Sequence, residues 1–332
     1  MSLAPIAVLG AGSWGTALAV LMARNGRRVH LWGPDAARLA TLQHERENRQ
    51  YLPGIRFPER LHTRDDLADV CRQSVDFLVA VPSHAFRATL AALAPQRRDG
   101  TVLAWATKGL EPHSGKLLSE VANETLGASV ATAVISGPSF AREVAIGLPT
   151  ALTAAARREE VAETVANWLR SDRLRVYTSN DVAGVQLGGA IKNVVAIAAG
   201  ISDGLGFGAN ARAALITRGL AELTRLGVAL GGRVETFMGL TGAGDLILTC
   251  TDNTSRNRRL GIGLGEGRPL AAMLATIGQE VEGVATAREL HALAGRHGVE
   301  MPITEQVYRV LYEDVAPQAA VEALLSREPR SE

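Results

Sequence analysis

The stretch IAVLGAGSWGTALA occupies residues 6–19. An apolar run, Ile6–Leu9, leads into Gly10-Ala11-Gly12-Ser13-Trp14-Gly15, and a helical pattern over Thr16–Asn25 follows, closed by Gly26. Strand, glycine loop and helix together are the context that a dinucleotide fingerprint requires. Gly10 is expected to permit the tight turn, Gly12 to let the backbone approach a pyrophosphate, and Gly15 to let the helix pack on the strand. The helix amino terminus then aims its N–H groups at the anion. A glycine-rich turn without a ligand is the alternative.

Outward from this stretch, short apolar runs alternate with helical patterns, the sequence form of a parallel sheet covered on both faces. Strands are expected at Ile6–Leu9, Arg28–Trp32, Asp76–Val81, Thr101–Ala106, Ala131–Ser136, Thr150–Ala155 and Arg173–Thr178. Ser83 is expected to cap a helix reaching Ala94, Glu159–Arg170 to form another, and Asn48 to Arg60, with Pro53, Gly54 and Pro58, to be a long irregular excursion. From about Asp181 the pattern is helical to the end, broken at Gly204–Gly208, Gly231-Gly232 and Gly239–Gly244. The expected class is α/β, with a mostly parallel sheet domain over residues 1–180 and an all-α domain over 181–332.

Composition narrows the function classes. The 332 residues are 47% apolar, enough for a sizeable core, and carry 35 basic against 34 acidic residues, so no charge footprint points to nucleic acid or an anionic membrane. The two cysteines, Cys71 and Cys250, are too few for a disulfide framework and lack metal-ligand spacing, so no metal is expected and a reducing cytoplasm is. The first apolar run ends in glycines and reads as a strand rather than a signal peptide. Val182–Ser202 is about long enough to span a bilayer, but its glycines, Gln186, Asn193 and a central Lys192 favour a helix buried in protein.

The second strand bears on which nucleotide is used. NAD-selective sites place an Asp or Glu at its end to bond the ribose 2′-hydroxyl, whereas this one ends Trp32-Gly33-Pro34 and reaches Asp35 only afterwards. Nothing acidic repels a 2′-phosphate, so NADP is expected to be accepted alongside NAD. Arg38, one turn on, either reaches that phosphate or is an ordinary surface arginine.

Chemistry is expected at the carboxyl ends of the strands. Lys108 follows one strand, and Ser139 follows another, where it can cap a helix. Lys192 has small or apolar neighbours in nearly every helical direction. Burial would depress its pKa and make it a general acid or base; a lysine whose tip snorkels to water is the other reading. Gly188 and Gly189 leave room for a ligand or another backbone. Asp245, in TGAGDL, can orient an ammonium, and the fork of Arg256, flanked by Ser255 and Asn257, suits a phosphate dianion unless TSRNRR is only a capped, solvated helix start. Cys250 has no adjacent histidine to make it a nucleophile. A different β-hydroxyacid or phosphosugar dehydrogenase, or a nucleotide sensor, would share part of this set.

GAGSWGTALA, WATKGL, VISGPSFA, GVQLGGAIKNVVAI, DGLGFGANARAALITRG, GAGDLILTCTDNTSRNRR and VEMPITEQVY together resemble bacterial NAD(P)-dependent glycerol-3-phosphate dehydrogenase, in order and over nearly the whole chain. The resemblance implies a Rossmann domain followed by a helical substrate-binding domain in a cytoplasmic homodimer that is not an integral membrane protein. The implied reaction interconverts dihydroxyacetone phosphate and sn-glycerol 3-phosphate for phospholipid synthesis. It implies Lys192 as proton acceptor, with Lys108, Asn193, Asp245 and Thr249 around the reacting carbon. Gly137, Ser139, Ser255, Arg256 and Asn257 would hold the substrate. Gly10, Gly12, Ser13, Trp14, Gly15, Pro34, Lys108, Ala141, Arg256, Glu280 and Glu282 would line NAD or NADP. The sequence departs from relatives at Pro34, where many have a basic residue or histidine, and at Ser139, where some have threonine.

Overall fold

A computed structural model describes residues 4–328. The chain forms two compact units, residues 1–107 with 118–182, and residues 108–117 with 183–332.

Among the described residues the first unit has ten strands: β1 (Ile6–Leu9), β2 (Val29–Trp32), β3 (Glu47–Asn48), β4 (Leu52–Arg56), β5 (Leu61–Arg64), β6 (Asp76–Val79), β7 (Val102–Trp105), β8 (Ala131–Ser136), β9 (Thr150–Ala155) and β10 (Leu174–Ser179). Eight form one sheet in the order β10-β9-β8-β7-β6-β1-β2-β5, and each neighbour pairs in parallel except β8 with β9. The expected strands are all present, within about two residues at their ends. The segment expected to be irregular is not so: it holds the β3–β4 antiparallel hairpin and leads into β5 at the sheet edge.

Alternation along the strands supplies two buried faces. Leu78, Ala104 and Ile135 join the cluster covered by α1 (Ser13–Arg24), α6 (Ala141–Ile146) and α7 (Glu159–Leu169). Phe77 and Trp105 alternate with them, and Phe86 of α4 (Ser83–Leu93) meets Trp105 edge-on at 5.8 Å. The remaining helices of this unit are α2 (Ala36–Glu45), α3 (Leu67–Gln73) and α5 (Leu118–Leu126). Two expected caps are corrected. Ser83 is the first residue of α4, behind Pro82, and Phe140 rather than Ser139 precedes α6; neither helix has a side-chain cap.

The second unit contains α8 (Val182–Gly204), α9 (Gly208–Ala229), α10 (Val234–Met238), α11 (Asp245–Thr251), α12 (Arg256–Gly265), α13 (Leu270–Ile277), α14 (Glu282–His297), α15 (Pro302–Tyr312) and α16 (Pro317–Leu325). Helix α8 is long and apolar enough to cross a membrane but is buried almost throughout, at the centre of this unit's core. Its glycines let other backbones touch it. A Cβ on Gly200 would meet the Arg258 carbonyl oxygen at 2.2 Å, and one on Gly261 would meet that of Ile197 at 2.1 Å, so α8 and α12 pack main chain against main chain. The buried carboxylate of Glu222 accepts from the N–H groups of Ile303 and Thr304, which fixes the start of α15.

Candidate active site

In the first unit, α1 begins at Ser13 behind Gly12, with no side-chain cap and no acid in its first turn. Gly10 adopts φ +123°, and a Cβ on it would meet the Ala80 carbonyl oxygen at 2.6 Å; one on Gly15 would meet that of Gly10 at 1.9 Å. Beside Gly12 a Cβ would find open space. The turn is therefore closed where it packs on the strands and open at its middle glycine. The uncapped, acid-free helix start behind it suits a pyrophosphate, so these residues fit a dinucleotide. The buried indole N–H of Trp14 has no partner among the described residues. Pro34 is exposed beyond β2 and Ala141 opens α6. Gly137, at φ +135°, and Ser139, whose Oγ donates to the Gly137 carbonyl at 3.1 Å, follow β8.

In the second unit the charged groups converge. Leu240–Gly244 form one π-helical turn, with the Gly244 N–H reaching the Gly239 carbonyl at 3.1 Å, and this places Asp245 at the head of α11. Asp245 is wholly buried, and Lys108 donates to its Oδ2 at 2.6 Å. Lys192 Nζ donates to its Oδ1 and, at 2.9 Å, to Thr249 Oγ1. With its side chain only 8% exposed and its ammonium turned inward, Lys192 does not snorkel. The space beside Gly188 is filled by main chain, since a Cβ there would meet the Thr241 carbonyl oxygen at 2.3 Å.

These positions set the proton chemistry. Burial brings the Lys192 ammonium down from its ordinary value to about 7; Asp245 opposes the fall and the Lys108 charge adds to it. One carboxylate shared by two ammonium groups cannot neutralise both, so the more buried one is poised to release its proton near neutrality. Cys250 is an inert packing thiol, pushed up to about 12 by burial.

The TSRNRR segment is both cap and cluster. Ser255 caps α12 by accepting from the Arg258 N–H at 3.2 Å. Asn257 donates to Asn193 Oδ1 at 3.0 Å and accepts from the Gly283 N–H at 2.9 Å, tying α8, α12 and the start of α14 together. Arg256 is half-buried and donates to Gln279 Oε1 at 3.4 Å. Burial lowers its pKa, and the charges of Glu282 and Glu280 oppose that fall. Arg258 is not part of a solvated face. It is buried, donating to the Cys250 carbonyl at 3.0 Å, to Asn253 and to Asp203, which also takes Arg212 at 2.9 Å.

The structure thus brings Lys108, Lys192, Asn193, Asp245, Thr249, Ser255, Arg256, Asn257, Glu280 and Glu282 into the second unit, and Gly10, Gly12, Ser13, Trp14, Gly15, Pro34, Gly137, Ser139 and Ala141 into the first. Sequence reading did not single out Asn48, Tyr51 or Asp203. Of these, Asp203 carried a local signal, as the one acid closing a long apolar helix.

Comparison with known proteins identifies the family. The chain matches the family described as NAD-dependent glycerol-3-phosphate dehydrogenase N-terminus over residues 5–162, and the corresponding C-terminus family over residues 181–322. It is 60% identical over 332 residues, the full length of both chains, to a glycerol-3-phosphate dehydrogenase (NAD(P)+) of Thioalkalivibrio sulfidiphilus. It is 56% identical over 328 residues, 98% of each chain, to that of Pseudoalteromonas translucida. A crystal structure of glycerol-3-phosphate dehydrogenase from Coxiella burnetii superposes with a TM-score of 0.96 at 49% identity, covering 98% of this chain and all of that one. The chain belongs to the NAD-dependent glycerol-3-phosphate dehydrogenase family.

Proposed function

We propose that this chain interconverts dihydroxyacetone phosphate and sn-glycerol 3-phosphate with NADPH or NADH. The observation that carries the reading is the inward-turned Lys192 ammonium, held by Asp245 and Thr249 and brought by burial to about 7. The nicotinamide ring, when bound, supplies or accepts hydride at its C4. In reduction Lys192 gives a proton to the C2 oxygen; in oxidation it takes the C2 hydroxyl proton. Asp245 fixes the direction of that ammonium. Lys108, on the other carboxylate oxygen, adds positive charge where an alkoxide develops, and the Asn193 amide can donate there. Arg256 and the amino terminus of α12 hold the phosphate dianion and thereby align the reacting carbon. The family resemblance assigns Gly137 and Ser139 to the substrate as well, and assigns Pro34, Ala141, Glu280 and Glu282 to the cofactor, whose pyrophosphate the α1 glycine loop takes.

The product is a phosphorylated triol suited to glycerophospholipid synthesis in the cytoplasm. A homodimer is part of this reading; exposed Val228, Val234 and Met238 of α9 and α10 offer it an apolar surface, and a monomer mass by light scattering removes it. The test of the function is the near-ultraviolet absorbance of NADPH or NADH. Absorbance falls when dihydroxyacetone phosphate is added to purified protein, and no fall with either nucleotide refutes the reading.

A further inference from the structure

The first unit carries a cation that the proposed chemistry leaves unused. Arg38 lies in the first turn of α2, four residues beyond Pro34, and its Nη2 donates to the carbonyl oxygen of Ala11, the middle residue of the Gly10–Gly12 turn. Its guanidinium sits 4.2 Å from the Tyr51 ring centroid. Asn48 braces the same carbonyl: its Nδ2 donates to Ala11 O at 3.0 Å and to Thr16 Oγ1 at 2.8 Å, while its Oδ1 accepts from the Tyr51 N–H at 3.3 Å. Helix α2, the β3–β4 hairpin and the glycine loop therefore meet at one oxygen, and the guanidinium is fixed there.

That guanidinium is half-buried, and among the described residues it forms no ion pair; its Nε is buried without a hydrogen-bond partner. The nearest acid in sequence, Asp35, uses its carboxylate to cap α2, accepting from the Arg38 backbone N–H at 2.9 Å. Burial without a neutralising carboxylate lowers the Arg38 pKa, and Tyr51 and Asp35 oppose that only in part. A partly desolvated cation of this kind is stabilised by an incoming anion. In a strand–glycine loop–helix nucleotide site the adenosine ribose falls at the end of the second strand, where an acid selects the 2′-hydroxyl of NAD and an arginine accommodates the 2′-phosphate of NADP. Here that strand ends in Gly33 and Pro34, which carry no charge.

We propose that Arg38, braced by Tyr51 and the Ala11 carbonyl, receives the 2′-phosphate of NADPH and sets the choice between NADPH and NADH. The proposal rests on the reading of the first unit as a nicotinamide-nucleotide site. The planar fork, one of whose terminal nitrogens, Nη2, is held by the Ala11 carbonyl, suits two phosphate oxygens, which a lysine's point charge does not.

The experiment is calorimetric titration of full-length protein and its Arg38→Met and Arg38→Lys variants with NADPH, NADH, 2′,5′-ADP and ADP. In Arg38→Met the dissociation constants of NADPH and 2′,5′-ADP rise by roughly tenfold to a hundredfold, the range of a charge-assisted hydrogen bond, and those of NADH and ADP move less than about threefold. Arg38→Lys falls between. Equal losses for all four ligands, which would mean that Arg38 only braces the glycine loop, overturn the proposal, and so does no loss. If Arg38→Met does not fold, the parent decides: its NADPH affinity falls more steeply with added salt than its NADH affinity, and equal slopes overturn the proposal. A parent that binds neither NADPH nor NADH refutes the nucleotide-site reading itself, a different result from a parent that binds both without regard to residue 38.

Discussion

Two aspartates of the helical unit each hold a pair of cations: Asp245 takes Lys108 and Lys192, and Asp203 takes Arg212 and Arg258. The charge composition is the same, and one helix links the two, since Lys192 and Asp203 lie eleven residues apart on α8 (203 − 192), about three turns. What differs is the head group. An ammonium deprived of water can give up its proton, and burial brings Lys192 to about 7, whereas a guanidinium keeps its charge at any working pH and binds through a rigid fork. The first cluster can move a proton. The second can only clamp, and what it clamps is the segment carrying Ser255, Arg256 and Asn257.

The largest expected break in this comparison is Lys192→Met, which keeps the volume of the stem and removes the proton. Turnover should fall by about 10²–10⁴-fold while nucleotide affinity and thermal midpoint stay near those of the parent. The parent's pH dependence has a definite sign. Lysine donates only when charged, so reduction of dihydroxyacetone phosphate should slow as pH rises through about 7, and oxidation of sn-glycerol 3-phosphate should quicken over the same window. Turnover of the variant within about threefold of the parent, with that profile intact, removes Lys192 from proton transfer.

Asp203→Ala tests the other cluster and should act on stability. It leaves the Arg258 guanidinium, 8% exposed, without its carboxylate, and a loss of about 2–4 kcal/mol is expected in denaturant titration. The pH profile of turnover should not move. A midpoint unchanged from the parent, or a shifted pH profile, dissolves the distinction between the two clusters. The smallest effect is expected from Thr249→Val, which deletes a hydroxyl that accepts from Lys192 and in turn donates to the Asp245 carbonyl at 2.6 Å. Loss of one such bond is worth about 1 kcal/mol, or roughly fivefold in turnover. A neutral result would show that Asp245 alone orients the ammonium.

The contrast between the clusters also marks what could be read without coordinates. Lys192 was legible because its environment is local: its neighbours along α8 are apolar, and helical periodicity makes them its surroundings. The need for a carboxylate pointed to Asp245. Arg258 reads from sequence as one more member of a basic run, because the groups that bury it, Asp203 and the Cys250 carbonyl, are brought to it only by folding. The strands follow the same logic. Those with continuous apolar runs were legible, whereas β5, with the sequence LHTR at the sheet edge, has only half its residues buried and no such run. The alternating pattern placed β9 in a mostly parallel sheet, but it runs antiparallel to β8, since a period of two has no arrow. Ser139 looked like a helix cap by residue type, and the chain instead starts α6 one residue later than that pattern requires.

Lys108 follows β7 in sequence yet belongs, with residues 109–117, to the helical unit, where Leu110 is buried in the core. The backbone therefore passes from one unit to the other three times, after residues 107, 117 and 182. No single cut yields two self-sufficient halves. A recombination event that exchanged everything after residue 182 would carry away Asp245 and Lys192 but leave behind the second ammonium and the leucine that fills their core. The dehydrogenase is in this sense not a pair of interchangeable cassettes, and a homologous replacement succeeds only if it takes the ten-residue loan from the sheet along with the helices.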